Sequence, residues 1–301
     1  MPALDRVPLT VAQRSADDVW IAGGALGSGG DAMILHYDGH SWTRTDPGTD
    51  ATLWWVDAPD ASTRWFVGER GTVLRGDALT AVSVPTTSTL YGVWQSPAGT
   101  VWIVGGVPDL SGVILRSDGG SAFADVTPAG SDGAYFKVWG ASDDDVWICG
   151  QAGVLVHWDG SALAAVDSGQ AANVPLFTVA GRAHDDVYAV GGLGTAVVLH
   201  YDGSSWSALG DAVLATMPGL TGASVDSDGT VVIVGGSGAK LRGKPGALVD
   251  ETAFATREDL HATSIVGGQV FAVGGSYLAP APAPRTGVVV HFGGDVSSTV
   301  K

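Results

Sequence analysis

Short runs of alternating or wholly apolar residues fill the chain, broken every few positions by Gly, Asp-Gly or Asp-Asp. Such runs read as β-strands joined by tight turns, and no stretch sustains the 3.6-residue apolar period of a helix. One run recurs. Its aromatic stands at Trp20, Trp65, Trp102, Trp147, Tyr188 and Phe271, with Val232 in the sixth copy. A glycine follows three residues later each time, at Gly23, Gly68, Gly105, Gly150, Gly191, Gly235 and Gly274. Successive anchors lie 37 to 45 residues apart. A period of that length, with four short strands per copy, is the signature of propeller blades. Seven copies account for nearly all 301 residues. The sequence therefore predicts an all-β, seven-bladed β-propeller in a single domain, with four antiparallel strands per blade and almost no helix. Blades are expected at about 4–46, 47–84, 85–128, 129–170, 171–212, 213–254 and 255–301.

The fourth copy is the most compact. Its strands are predicted at Tyr135 to Trp139, Val146 to Cys149, Val154 to Trp158 and near Ala162 to Val166. Asp-Gly recurs at Asp38-Gly39, Asp118-Gly119, Asp159-Gly160 and Asp202-Gly203, which suits a type I′ hairpin with positive φ at both central residues. A four-strand meander places the first and third turns of every blade on one face of the disc. That bottom face carries the Asp-Gly and Asp-rich turns. The second turns and the blade-to-blade connections form the top face. Regularity breaks there, with long loops expected at Ala25 to Ala32, Val107 to Gly112 and Ser276 to Gly287. Function concentrates on irregular loops carried by a regular scaffold.

One column is basic in every copy: His36, Arg75, Arg116, His157, His200, Arg242 and His291. A second column stands two residues before the strand-two aromatic and reads Asp18, Thr63, Thr100, Asp145, Asp186, Thr230 and Gln269. Asp goes with His and Thr with Arg, while Gln269 goes with His291. Asp145 or Val146 is expected opposite His157. Asp18–His36, Asp145–His157 and Asp186–His200 are thus predicted as structural pairs that staple each blade with a charge-assisted hydrogen bond. Repeat symmetry spreads the four histidines around the ring, so no shared metal ion is expected.

A third column, early in the inner strand, reads Leu9, Trp54, Tyr91, Phe136, Phe177, Thr221 and His261. It predicts a half-ring of aromatics near the top of the central channel. Such rings serve either blade packing or an aromatic platform for a ligand, with Trp55 and Lys137 one position further on as partners. A second candidate site spans the closure between blades seven and one. There the glycine-rich loop with Gly27, Gly29 and Gly30 meets the loop with Pro280, Pro282 and Pro284, flanked by Tyr277 and Arg285. Unit one holds four strands of its own, and Val296 to Val300 is expected as the outer strand of blade seven, unless Ala3 to Arg6 takes that edge.

Charge narrows the partners. Fifteen basic residues oppose 31 acidic ones, a net charge of −16, which repels nucleic acid and an anionic membrane surface. No apolar run approaches the length that spans a bilayer. Met1-Pro2-Ala3 directly before the first blade reads as a start placed on a trimmed domain, and an extracellular or cell-surface address is expected. Cys149 is the lone cysteine and occupies a column of Ala and Val, so it is expected as a buried thiol.

Two stretches carry a resemblance. Val19 to Trp42, with its double glycine, Tyr and Trp, looks like a kelch unit. Val138 to Gly160 resembles the YCF48-like and Asp-box-like propeller repeats common in secreted bacterial proteins. Glu69 and Gln151 stand where the second glycine would be, and the strict Asp-box order is not met. The resemblance implies a propeller, and an assembly scaffold is one of its functions. No Gly-x-Ser-x-Gly elbow accompanies the Asp and His residues, no partner stands near Glu69 or Glu258 for glycoside hydrolysis, and the paired Asp residues lack the spacing of a calcium loop. We therefore expect a monomeric, non-catalytic binding propeller without a cofactor, Ca²⁺ at the paired Asp residues being the alternative, recognising a protein, peptide or carbohydrate through its top face. The alternative is a glycan-active hydrolase or lyase acting at the top of the channel.

Overall fold

The computed structural model describes residues 4–26, 32–169, 173–252, 256–276 and 286–293. Within these residues the chain forms seven antiparallel sheets: six have four strands in simple meander order, and the seventh has three. The fold is a seven-bladed β-propeller, and its helical content is confined to short 3₁₀ turns. The inner strands are Val7–Ser15, Leu53–Asp57, Thr89–Gln95, Tyr135–Ser142, Leu176–Ala183, Leu220–Val225 and Leu260–Val266. In blade four the other three are Asp145–Gly150, Leu155–Trp158 and Leu163–Val166.

Each sheet has two apolar faces, and both are buried against neighbours. Seven hydrophobic clusters result, one between each pair of adjacent blades. The cluster holding Val11, Ile21, Leu35 and Trp42 from blade one also holds Ala262, Phe271 and Val273 from blade seven, so the ring is closed by packing. Trp42 meets Phe271 edge-on at 6.0 Å. The recurring glycine has a steric origin. A Cβ on Gly150 would sit 2.4 Å from the Ala134 carbonyl oxygen, where the inner strand passes.

Several expectations are corrected. At the Asp-Gly turns the glycine takes the left-handed conformation (φ +89° at Gly160), but Asp38, Asp159 and Asp202 do not, so these are not type I′ turns. The aspartate is there as a cap. Asp159 Oδ1 accepts the N–H groups of Ser161 and Ala162, both at 2.9 Å, and Asp38 and Asp202 repeat the arrangement. Side-chain and backbone hydrogen bonds from Ser161 and Ala162 hold the Asp159 carboxyl down to about 2.

Val107 to Gly112 is no long loop. Strands Thr100–Val107 and Ser111–Asp118 pair through to Val107 opposite Ser111, and Asp109 takes a left-handed turn at the tip. The hairpin is long because its strands are.

The residue opposite His157 is Trp147, not Asp145 or Val146. His157 stacks on Trp147 at 4.1 Å and reaches the diagonal Asp145, with Nε2 2.7 Å from Oδ1. Blades one and five repeat this, with His36 2.8 Å from Asp18 and His200 3.0 Å from Asp186. Burial raises the Asp18 carboxyl, but bonds from Arg14, His36 and Trp20 outweigh it and leave the group lowered. In blades two and three, where the pair is Thr and Arg, the guanidinium lies over the strand-two tryptophan instead, Arg75 over Trp65 and Arg116 over Trp102. Gln269 and His291 do not pair. Gln269 Oε1 and His291 Nε2 are buried without a hydrogen-bond partner among the described residues.

Segment Val296 to Val300 lies outside the described residues, as does Ala3. Leu4 exchanges two backbone hydrogen bonds with Gly287, placing the start of the chain against the outer edge of blade seven's third strand, Gly287–Phe292.

Candidate functional site

The inner strands run downward from the top face, so a residue near the start of each one faces the channel mouth. Trp54, Tyr91, Phe136, Phe177, Thr221 and His261 line one cavity of about 450 Å³ there. Blade one contributes Leu9, which is fully buried. The rings touch in sequence. His261 lies 5.8 Å from Trp54, Trp54 5.2 Å from Tyr91, Tyr91 5.6 Å from Phe136, and Phe136 5.6 Å from Phe177. Five blades supply the rings, and the arc passes blade one between His261 and Trp54, where His261 Nδ1 donates to the Leu9 carbonyl. Trp54–Tyr91 and Tyr91–Phe136 meet edge-to-face, at 76° and 79°. The wall is therefore a concave cup and not a flat platform.

Lys137 follows Phe136 and sits one layer deeper, at only 4% exposure. Its Nζ donates to the carbonyls of Tyr91 at 2.8 Å and Phe136 at 3.2 Å, and lies 4.2 Å from the centre of the Trp55 ring. Burial pulls the amine down to about 7, slightly offset by Cys149. Burial and then Lys137 hold His261 down to about 3, so its imidazole is neutral at physiological pH. Trp55 does not line the cup; it walls a second chamber of about 320 Å³ lower in the channel. Asp57 lines that chamber, and burial pushes its carboxyl up to about 7 against hydrogen bonds from the Gln95 and Ala58 backbone.

Besides three glycines, the wall residues that escaped sequence reasoning are Leu193, Pro218 and Asp259. Leu193 is 79% exposed at the tip of a turn between Gly192 and Gly194, and a large apolar residue isolated among glycines was a readable signal. Pro218 and Asp259 lie on blade-to-blade connections, where no repeat position marks them. From Phe136, Phe177 and Leu193 a shallower groove of about 340 Å³ continues outward to Pro108, Gln151 and Asn173. Asp259 is the one carboxylate among the described residues lining the cup, and its Oδ1 accepts the Ser237 N–H at 2.7 Å. Glu69 and Glu258 do not line it. Tyr277 and Arg285, with most of both closure loops, lie outside the described residues.

No group of three or more His, Cys, Asp or Glu side chains is placed to hold a metal ion among the described residues. No helix among them is long and apolar enough to cross a membrane.

No protein-family model and no curated protein sequence matches the chain. Solved structures do match in shape. Virginiamycin B lyase from Staphylococcus aureus aligns with a TM-score of 0.71 at 13% identity, covering 95% of both chains. The WD40 β-propeller domain of Doa1 aligns at 0.69 and 11% identity, covering 95% of this chain and 93% of that one. YCF48 bound to D1 peptide aligns at 0.55 and 16% identity, covering 81% and 77%. At such identities the likeness is one of fold: a propeller, shared by binding proteins and by an enzyme, with neither the kelch nor the Asp-box family assigned.

Proposed function

We propose that the protein is a non-catalytic binding propeller that takes a peptide segment of its partner across the top face, anchored by an apolar or aromatic side chain in the cup. The observation carrying this reading is the unbroken arc from His261 through Trp54, Tyr91 and Phe136 to Phe177. Edge-to-face rings around a hollow suit a side chain entering end-on, whereas a sugar ring stacks on an exposed flat face. The groove leading outward from the same phenylalanines accommodates the chain that leads to the anchor. A hydrolase or lyase reading would gain from convergent acids, and among the described residues the cup offers Asp259 alone. Peptides selected by display on the immobilised protein test the reading. Calorimetry should show the selected sequences losing tenfold or more on Phe136→Ala, in a variant whose melting curve confirms folding. Undiminished binding would remove the cup from consideration.

A further inference from the structure

The cup has a charge imbalance at its base. Lys137 is the cation there, and no carboxylate lies within 4 Å of its Nζ among the described residues. Two backbone carbonyls and the Trp55 ring supply dipoles and a quadrupole, but no counter-charge. Buried charges are ordinarily paired. A second donor on the same wall, the Trp54 indole N–H, is buried with no acceptor among the described residues. The neighbouring groups do not compensate. His261 is a neutral imidazole already committed to Leu9, and Asp259 turns an oxygen to the Ser237 backbone.

We propose that the cup selects a ring-bearing carboxylate, with the ring against Trp54, Tyr91 and Phe136 and the carboxylate neutralising Lys137. This rests on the reading of the cup as a binding site and narrows what enters it. The ligand chemistry has two sources, a free aryl carboxylic acid or the C-terminal residue of a peptide ending in Phe or Trp. Proton linkage follows. Burial leaves the free amine near 7, and an anion beside it raises that value again. Above pH 7 the lysine must take up a proton as the ligand enters, so affinity falls as pH rises. Of the groups around Lys137, Cys149 is pushed up to about 12, His261 is held near 3 and Tyr91 is raised by burial, so none titrates between 7 and 9. Asp57 does titrate near 7, below Trp55 on the same inner strand, and a Lys137 variant separates the two.

Titration calorimetry at pH 8 in two buffers of different ionisation enthalpy reads both claims. Phenylacetate and indole-3-acetate are compared with their primary amides, and Trp-terminated peptides are compared with free and amidated ends. The acids should bind at least tenfold tighter than the amides, with heats that differ between buffers by a proton taken up. Lys137→Met should lose both the preference and the buffer dependence. A preference confined to the peptides identifies a chain terminus as the source, and one shared by the free acids identifies the aryl carboxylate. The acid-against-amide comparison on the unaltered protein stands even if the variant does not fold. Equal binding of acid and amide overturns this proposal and leaves the cup as a binding site. Failure of every acid, amide and display-selected peptide overturns both.

Discussion

His157 lies flat on Trp147 with ring centres 4.1 Å apart, while its Nε2 comes within 2.7 Å of Asp145 Oδ1. One side chain thus joins two strands of blade four by packing and by hydrogen bonding. Asp145→Ala leaves a partly buried donor without its acceptor and should destabilise by about 1–3 kcal/mol. In a double-mutant cycle with His157→Gln, the double variant should cost little more than the costlier single one. Additive losses in denaturant melts would show that the two residues act independently.

Lys137 is held down by burial and His261 likewise, so both contribute a stability that depends on pH. A folded-state value below the unfolded one means that the unfolded chain binds more protons, so stability rises with pH across that window. For Lys137 the window runs from about 7 to 10.5, and for His261 from about 3 to 6.5. Lys137→Met should abolish the rise above pH 7 and stabilise the protein at pH 7 by a few kcal/mol at most. Asp57 acts in the opposite sense, since its raised carboxyl makes stability fall from about pH 4 to 7. Thermal melts across pH on Lys137→Met and the parent separate the lysine's contribution from that of Asp57 and His261.

The Leu4–Gly287 hydrogen bonds tie the two ends of the ring. Leu4→Pro removes the N–H that Gly287 accepts, at a cost of about 1–2 kcal/mol, and should lower Tm by a few degrees. An unchanged Tm would leave closure to the cluster around Trp42 and Phe271 alone.

Cys149 should be inert. It is fully buried and its thiol is pushed up to about 12 by burial. A chromogenic disulfide reagent should titrate no thiol in the native protein and one in guanidinium chloride. Rapid native reaction would mean that blade four opens locally.

The fold was legible because propeller repeats force the same residues into the same places: the glycine whose Cβ would meet the next strand, the tryptophan between blades, the aspartate at each turn. Trp54, Tyr91, Phe136, Phe177 and His261 could be aligned into one column for the same reason, and the structure brings them together around one cavity. What escaped the sequence was geometry finer than the repeat. The Asp-Gly turns were misread because the aspartate's capping bonds keep it out of the left-handed region. Gln269 and His291 fit the column but not the chemistry, since a glutamine carbonyl does not draw a neutral imidazole as a carboxylate does. The height of the Val107 to Gly112 hairpin depends on how far two strands stay paired, which composition does not encode. Asp259 belongs to a blade-to-blade connection that no repeat position marks.

The central claim is that a partner side chain enters the mouth of the channel between Trp54, Tyr91 and Phe136. A crystal structure of the protein with a display-selected peptide tests it most directly. One apolar or aromatic side chain is expected within van der Waals distance of these three rings, with the peptide backbone running over Phe177 towards Pro108. A peptide seated on the acidic bottom face, along the outer strands or on the closure loops, with the cup empty, would contradict it.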